Sequence, residues 1–340
     1  MTLEGKEIAI IGAGIVGLST ALSLQEEFPL IGITVFADKF NDETLSAGSG
    51  GIFRPELNVH YDSERVRTWC RDSFSYFMDL IKSPESAKAG VQLLSGFHMS
   101  SMFSELKNDL VEELLPEWRK LNEKDLQLFP KHLKGGQFYT TPVIDCKHYL
   151  PWMKSKFESR GGKTIREHIS SLDEIVKRYD IVVNCCGLGA KHLVNDDMLS
   201  PVRGQTIIVK APWIKHFYYA DEVYVIPGVD CVTLGGIKDY GSWKMDVNTY
   251  QKQFIWDKCT ELLPSLKKAE IMYDWVGLRP FRPSIRIDAN FIKRQDNYSL
   301  IVNNYGHGSH GVALSWGTAQ DVKRMIQKIM VKENFTISKL

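Results

Sequence analysis

The sequence predicts an α/β protein in which a discontinuous parallel-sheet domain for a dinucleotide is interleaved with a mostly antiparallel α+β domain. Three observations lead there. The chain opens on a strand that breaks into a glycine turn and a helix, Glu7-Ile8-Ala9-Ile10-Ile11-Gly12-Ala13-Gly14-Ile15-Val16-Gly17. A second strand, Ser299-Leu300-Ile301-Val302, runs late in the chain into another glycine turn, Gly306 to Gly311. Between them lie alternating apolar stretches with the two-residue period of exposed-faced strands.

Within the opening element, Gly12 permits the tight turn, Gly14 and Ile15 bring backbone close to a pyrophosphate, and Gly17 lets the helix pack on its strand. Leu18, Ala21, Leu22 and Phe28 continue at helical spacing. The strand Gly32-Ile33-Thr34-Val35-Phe36 then ends close to Asp38, the acid about 20 residues on that such a fold offers to a ribose hydroxyl. Helix N–H groups at the turn face the anion. This is a Rossmann-like start.

Later pieces complete that sheet. Asp180 to Asn184 reads as a buried strand running into Cys185-Cys186-Gly187-Leu188-Gly189-Ala190, and the strand at 299–302 leads into a helix with Val322, Met325, Ile326 and Ile329 on one face. The expected nucleotide domain is 1–52, 150–190 and 296–335. The expected substrate domain is 53–149 and 191–295, leaving 336–340 as a tail. In the substrate domain, residues 63–81 form an amphipathic helix through Val66, Trp69, Cys70, Phe77 and Leu80, while 205–209, 224–226 and 231–234 alternate as strands.

Composition excludes several classes. The 340 residues carry a formal net charge of +1 with dispersed lysines and arginines, which argues against nucleic acid and a polybasic membrane anchor. No apolar run approaches the roughly 20 residues of a bilayer span, and Glu4, Lys6 and Glu7 stand where a secretory signal needs a hydrophobic stretch. The six cysteines show no metal-like spacing and read as small core side chains, Cys185 and Cys186 included. His307 and His310 lack an acidic partner at metal spacing, so no metal is expected. Ser338-Lys339-Leu340 matches the address read by the peroxisomal import receptor, which places the protein in peroxisomes, or otherwise in the cytoplasm.

Two features carry chemistry. The Gly306–Gly311 turn aims a helix N-terminus, with its partial positive charge, at whatever lies beyond, and such a dipole suits an electron-accepting ring. In Gly277-Leu278-Arg279-Pro280-Phe281-Arg282-Pro283, two prolines stiffen the backbone around two arginines, either of which can offer a carboxylate a planar fork.

The glycine opening, Asp38-Lys39-Phe40, Ala211-Pro212-Trp213, Tyr224-Val225-Ile226-Pro227-Gly228, Thr233-Leu234-Gly235-Gly236, Gly277-Leu278-Arg279-Pro280 and Asn304-Tyr305-Gly306-His307-Gly308 follow one another in order. Together they resemble the peroxisomal D-amino-acid oxidase and D-aspartate oxidase family over nearly the whole chain. The resemblance implies non-covalent FAD, hydride transfer from the substrate Cα to flavin N5, an imino acid that hydrolyses, and O2 reduced to hydrogen peroxide. It assigns the substrate α-carboxylate to Arg279 and Tyr224, and the adenosine end of FAD to Asp38 and Lys39. Thr44, Ser46, Gly51 and Ile52 match the phosphate and flavin loop; Ile169, Gly308, Gly311 and Val312 match later FAD contacts. Leu45 departs from the hydroxyl residue common there.

For substrate choice, Phe217-Tyr218-Tyr219-Ala220-Asp221-Glu222-Val223 is a short lid, and Lys238 follows Gly235-Gly236-Ile237. A cation in the side-chain pocket favours a dicarboxylic substrate. Ser309 also matches the aspartate enzymes, whereas Tyr219 and Ala220 replace an expected lid arginine. His216 has two readings, a place near the same pocket and a capping or packing role. The expectation is oxidation of D-aspartate, and of D-glutamate with it. Oxidation of neutral D-amino acids stays open as the alternative, with a nicotinamide-dependent dehydrogenase and a non-catalytic flavoprotein more remote.

Overall fold

A computed structural model describes residues 6–102, 108–294 and 297–337. Five parallel strands form one half of the sheet, in the order 297–307, Ile181–Asn184, Glu7–Ile11, Gly32–Ala37 and Lys163–Arg166. Glu7–Ile11 and Gly32–Ala37 belong to one strand-helix-strand unit, and the other three come from separated stretches of chain. The first, second and late strands fall where the sequence places them; Lys163–Arg166 at the edge is an addition.

The other half holds strands Trp118–Lys120, Gly135–Ile144, Val91–Ser100, Phe217–Ala220, Val223–Pro227, Val232–Gly235 and Ser200–Lys210, ending on the strand 270–294. Neighbours here are antiparallel, except that Val91–Ser100 runs parallel to Phe217–Ala220. The 270–294 strand joins the halves. Its first part pairs with Ser200–Lys210 and its second with 297–307, and the register shifts between Phe281 and Arg286 where it changes partner. That shift accommodates Pro280 and Pro283, since proline is tolerated in a sheet where the ladder is already interrupted.

The helix Ile15–Glu27 is buried almost all round, with Ser19, Thr20 and Ser23 inaccessible beside Leu18 and Leu22. It lies between the parallel sheet and the helices Cys146–Ser159 and Gly311–Ile337. Two of these polar residues are tied, one within the helix and one to the closing helix: Thr20 Oγ1 donates to the Val16 carbonyl at 2.8 Å and Gln320 Nε2 to Ser23 Oγ at 3.1 Å. Helix Ser63–Ile81 begins on Asp62, whose carboxylate accepts the Glu64 and Arg65 N–H groups at 3.1 Å. It buries Val66, Trp69, Cys70, Phe77 and Leu80, the expected face. Gly317 lets the closing helix cross it closely, because a Cβ there would strike the Trp69 backbone. The closing helix continues to Ile337, taking in the first two residues of the expected tail. Ser338-Lys339-Leu340 lies outside the described residues. Among the described residues no helix is long and apolar enough to cross a membrane.

Candidate active site

A cavity of about 1720 Å³ runs from the carboxyl ends of the parallel strands, past the sheet junction, to the antiparallel half. That exceeds the roughly 300–1,000 Å³ of an ordinary ligand pocket and is room for a dinucleotide with a small substrate beside it. At one end sits the glycine cradle. Gly12 has φ +107°, its N–H donates to the Phe36 carbonyl at 2.7 Å, and a Cβ there would lie 2.5 Å from the Cys185 carbonyl oxygen. The helix begins on Gly14 with no acidic residue in its first turn, so nothing cancels its positive end. Gly17 does not line the cavity; a Cβ there would collide with the Gly12 carbonyl, which is the close packing its position requires.

The loop after the second strand closes over this cradle. Ser46 Oγ accepts the Ile15 N–H at 3.1 Å, and buried Thr44 donates to the Asn41 carbonyl at 2.7 Å. Gly51, at φ +69°, passes so close to the Ile144 carbonyl that no side chain fits, and Ile52 bridges Val143. Asp38, Lys39 and buried Ile169 line the same end of the cavity. Cys185 and Cys186 also line it, but burial pushes both thiols up to about 12, so they pack as neutral groups. These residues fit an FAD: the cradle exposes backbone where a Cβ would intrude, and the adenosine-side residues lie beyond it.

Farther along, Gly306 and Gly308 take φ +86° and +55°. The Gly308 N–H donates to the Pro280 carbonyl at 2.9 Å, fastening this turn to the strand that carries Arg279. Gly311 and Val312, at the start of the closing helix, face the cavity, as do His307, Ser309 and His310. Burial lowers the His307 and His310 pKa values to about 3 and about 4, so both rings are neutral near pH 7. Among the described residues no group of three or more His, Cys, Asp or Glu side chains is placed to hold a metal ion.

At the substrate end, Arg279 and Tyr224 meet. The Arg279 guanidinium lies against Gly204 and donates to the Ile237 carbonyl at 3.1 Å; the Tyr224 ring lies against Gly235. A Cβ on either glycine would occupy the same space. Arg279 hydrogen-bonds the Tyr224 phenol, which burial keeps protonated by raising its pKa. Lys238 also lines this end, and desolvation lowers its ammonium pKa. Of the two arginines in the proline-flanked stretch, only Arg279 serves the clamp. Arg282 is committed to Asp196 at 3.0 Å and to the Ser284 carbonyl at 2.8 Å.

The predicted lid is a two-residue hairpin turn between Phe217–Ala220 and Val223–Pro227, with Asp221 at φ +48°. Asp221 is held by the Ser101 N–H at 2.9 Å and by the Ser100 hydroxyl at 3.2 Å. His216 takes the packing role: its Nδ1 pairs with the Ser95 carbonyl at 2.9 Å, its ring packs on Phe97, and it does not line the cavity. Sequence reasoning missed Arg54, Glu56 and Tyr219 on the cavity wall. Arg54 stacks on the Tyr219 ring at 5.1 Å, and the Tyr219 and Tyr224 rings are 5.4 Å apart.

The FAD dependent oxidoreductase family model matches residues 7–325. The chain is 34% identical to the D-aspartate oxidase of Homo sapiens, covering 96% of each, and 35% identical to the D-amino acid oxidase of Dugesia ryukyuensis, covering 96% of this chain and 98% of that one. Its fold is shared with glycine oxidase from Geobacillus kaustophilus, with a TM-score of 0.77 over 95% of both chains at 15% identity. A glycine cradle, an arginine–tyrosine clamp beside it, and this likeness over almost the full chain place the protein in the FAD dependent oxidoreductase family.

Proposed function

We propose that the protein oxidises acidic D-amino acids, D-aspartate and with it D-glutamate, to the 2-oxo acid and ammonia. The observation that carries this reading is the Arg279–Tyr224 pair at the end of the nucleotide cavity, with Lys238 on the same wall. Arg279 supplies a planar fork to the α-carboxylate and Tyr224 a neutral phenol donor, which together fix the Cα–H direction. An FAD held by the Gly12–Gly17 cradle and the Gly306–Gly311 turn would supply the two-electron acceptor for the substrate hydride and the route to O2 and hydrogen peroxide. His307 and His310 stay neutral, so no cation competes with Arg279 from that turn. The nearest lysine offers its charge to a second carboxylate. The imine released hydrolyses in water.

Supporting the acidic preference are Lys238 and the short hairpin in place of a covering lid. Peroxisomal residence, through Ser338-Lys339-Leu340 and the import receptor, belongs to the same proposal, since it would confine the peroxide. Purified yellow protein should release hydrogen peroxide with D-aspartate and D-glutamate faster than with D-alanine or D-methionine, and none with L-aspartate. A preference for D-alanine would remove the acidic assignment, and silence on all four D-amino acids would remove the oxidase reading. For residence, a fluorescent fusion ending in the native tripeptide should appear in punctate organelles and disperse when Leu340 is deleted.

A further inference from the structure

We propose that Arg54 receives the side-chain carboxylate of the substrate, and that Glu56 holds Arg54 in readiness by standing in for that carboxylate. This rests on the acidic-substrate reading above and names the residue that enforces it.

Arg54 follows the loop that carries Thr44, Ser46 and Gly51 and lines the same cavity as Arg279. A guanidinium has five N–H donors in a fixed fork. Here Nη1 pairs with Glu56 Oε1 at 3.2 Å, the plane rests on Tyr219, and Nε is buried with no hydrogen-bond partner. A buried donor left open costs roughly 1–3 kcal/mol, which a purely structural arginine would have no reason to bear. On a cavity wall, the open edge of the fork is an offer to an anion.

The charge pattern agrees. The charged groups that reach the Lys238 ammonium are Glu56, Arg54 and Arg279, so three cations face one carboxylate. His98, against Tyr219, and His310 add no charge, because burial lowers their pKa values to about 3 and about 4. An amino dicarboxylate with its amine neutral carries two negative charges and matches that excess. Glu56 is the half-exposed member: its side chain is 36% exposed, it pairs with Arg54, and it sits within reach of Lys238 and His310. Arriving substrate would take the Arg54 fork and turn Glu56 outward. Tyr219 sets the spacing, since it stacks under Arg54 and lies ring to ring with Tyr224 of the α-carboxylate clamp.

The test uses FAD-loaded protein with Arg54→Gln, Arg54→Lys and Glu56→Gln, read in two ways. In turnover, Arg54→Gln should lower the ratio of kcat/KM for D-aspartate to that for D-alanine by about thirtyfold or more, the usual consequence of removing one partner of a desolvated charge pair. In binding, calorimetric titration of oxidised protein should show the ratio of succinate to butyrate affinity falling by a similar factor. Arg54→Lys, which keeps the charge and loses the fork, should recover part of both ratios. Glu56→Gln should tighten succinate.

Equal losses on D-aspartate and D-alanine, with an unchanged succinate to butyrate ratio, would overturn the proposal and leave Arg54 as a support for Tyr219. If Arg54→Gln fails to retain flavin, Arg54→Lys decides on the same ratios. Should the unmodified protein ignore D-aspartate, the acidic-substrate reading fails by itself. Arg54 is then judged on succinate alone, and an affinity that Arg54→Gln does not alter sinks it.

Discussion

The two ends of the cavity are built on opposite principles. The nucleotide end is shaped by the absence of side chains: Gly12, Gly14 and Gly51 bring backbone to the wall, and their neighbours leave no room for a Cβ at Gly12 or Gly51. The substrate end is shaped by the presence of large charged side chains, and its glycines, Gly204 and Gly235, serve only to seat Arg279 and Tyr224. A backbone cradle binds what all its ligands share, the pyrophosphate. A side-chain cage distinguishes one ligand from the next. Changes at the first end should therefore abolish function outright, and changes at the second should redistribute it.

The sharpest break of that contrast is Gly17→Val. Its side chain would enter the Gly12 carbonyl, and overpacking of this kind costs about 1–3 kcal/mol or more. The expected outcome is colourless protein with a lowered melting temperature, and a yellow variant of native stability would refute the cradle geometry. Next in size, Arg279→Ala should leave the protein yellow while reducing kcat/KM for every D-amino acid by about a hundredfold to a thousandfold, equivalent to losing a charge-assisted carboxylate pair of roughly 3–4 kcal/mol. Retained turnover would remove the clamp from Arg279.

A smaller effect is expected for Lys238→Met: about a tenfold drop in the D-aspartate to D-alanine ratio, since this lysine is exposed within the cavity and its charge is partly screened. An equal loss on both substrates would make Lys238 a bystander. The smallest signal is the pH dependence of the same ratio. Desolvation lowers the Lys238 pKa, and a lysine is cationic only below its pKa, so the acidic preference should be full near neutrality and decline on the alkaline side before an ordinary lysine would titrate. Both substrates share the amine ionisation, so their ratio isolates the lysine. A decline that persists in Lys238→Met belongs to another group.

The same contrast explains what the sequence made legible. Strand, turn, helix and strand at the start are local, and the residues that must be glycine announce the turn. Residues 63–81 were readable because their apolar side repeats at helical spacing. Val91–Ser100 was not, because its burial does not alternate, and Gly135–Ile144 carries Pro142 in its interior. The 270–294 strand was hidden by two prolines that a change of strand partner accommodates. Arg54 and Tyr219 meet only through the folded sheet, and no spacing along the chain signals their contact. For His216 the sequence left pocket and packing roles open, and only the fold decides, by turning its ring to the Ser95 carbonyl.

The single strand that crosses the sheet junction also fixes how the two halves relate in time. Arg279 stands on the same unbroken strand that borders the late parallel strand, and the Gly308 N–H fastens the neighbouring turn to Pro280. Clamp and cofactor turn therefore share one mechanical frame, and their separation does not depend on a hinge. With only a two-residue turn where a covering flap would be, alignment is present before substrate arrives. An enzyme made this way selects its substrate by fit to a spacing that is already set.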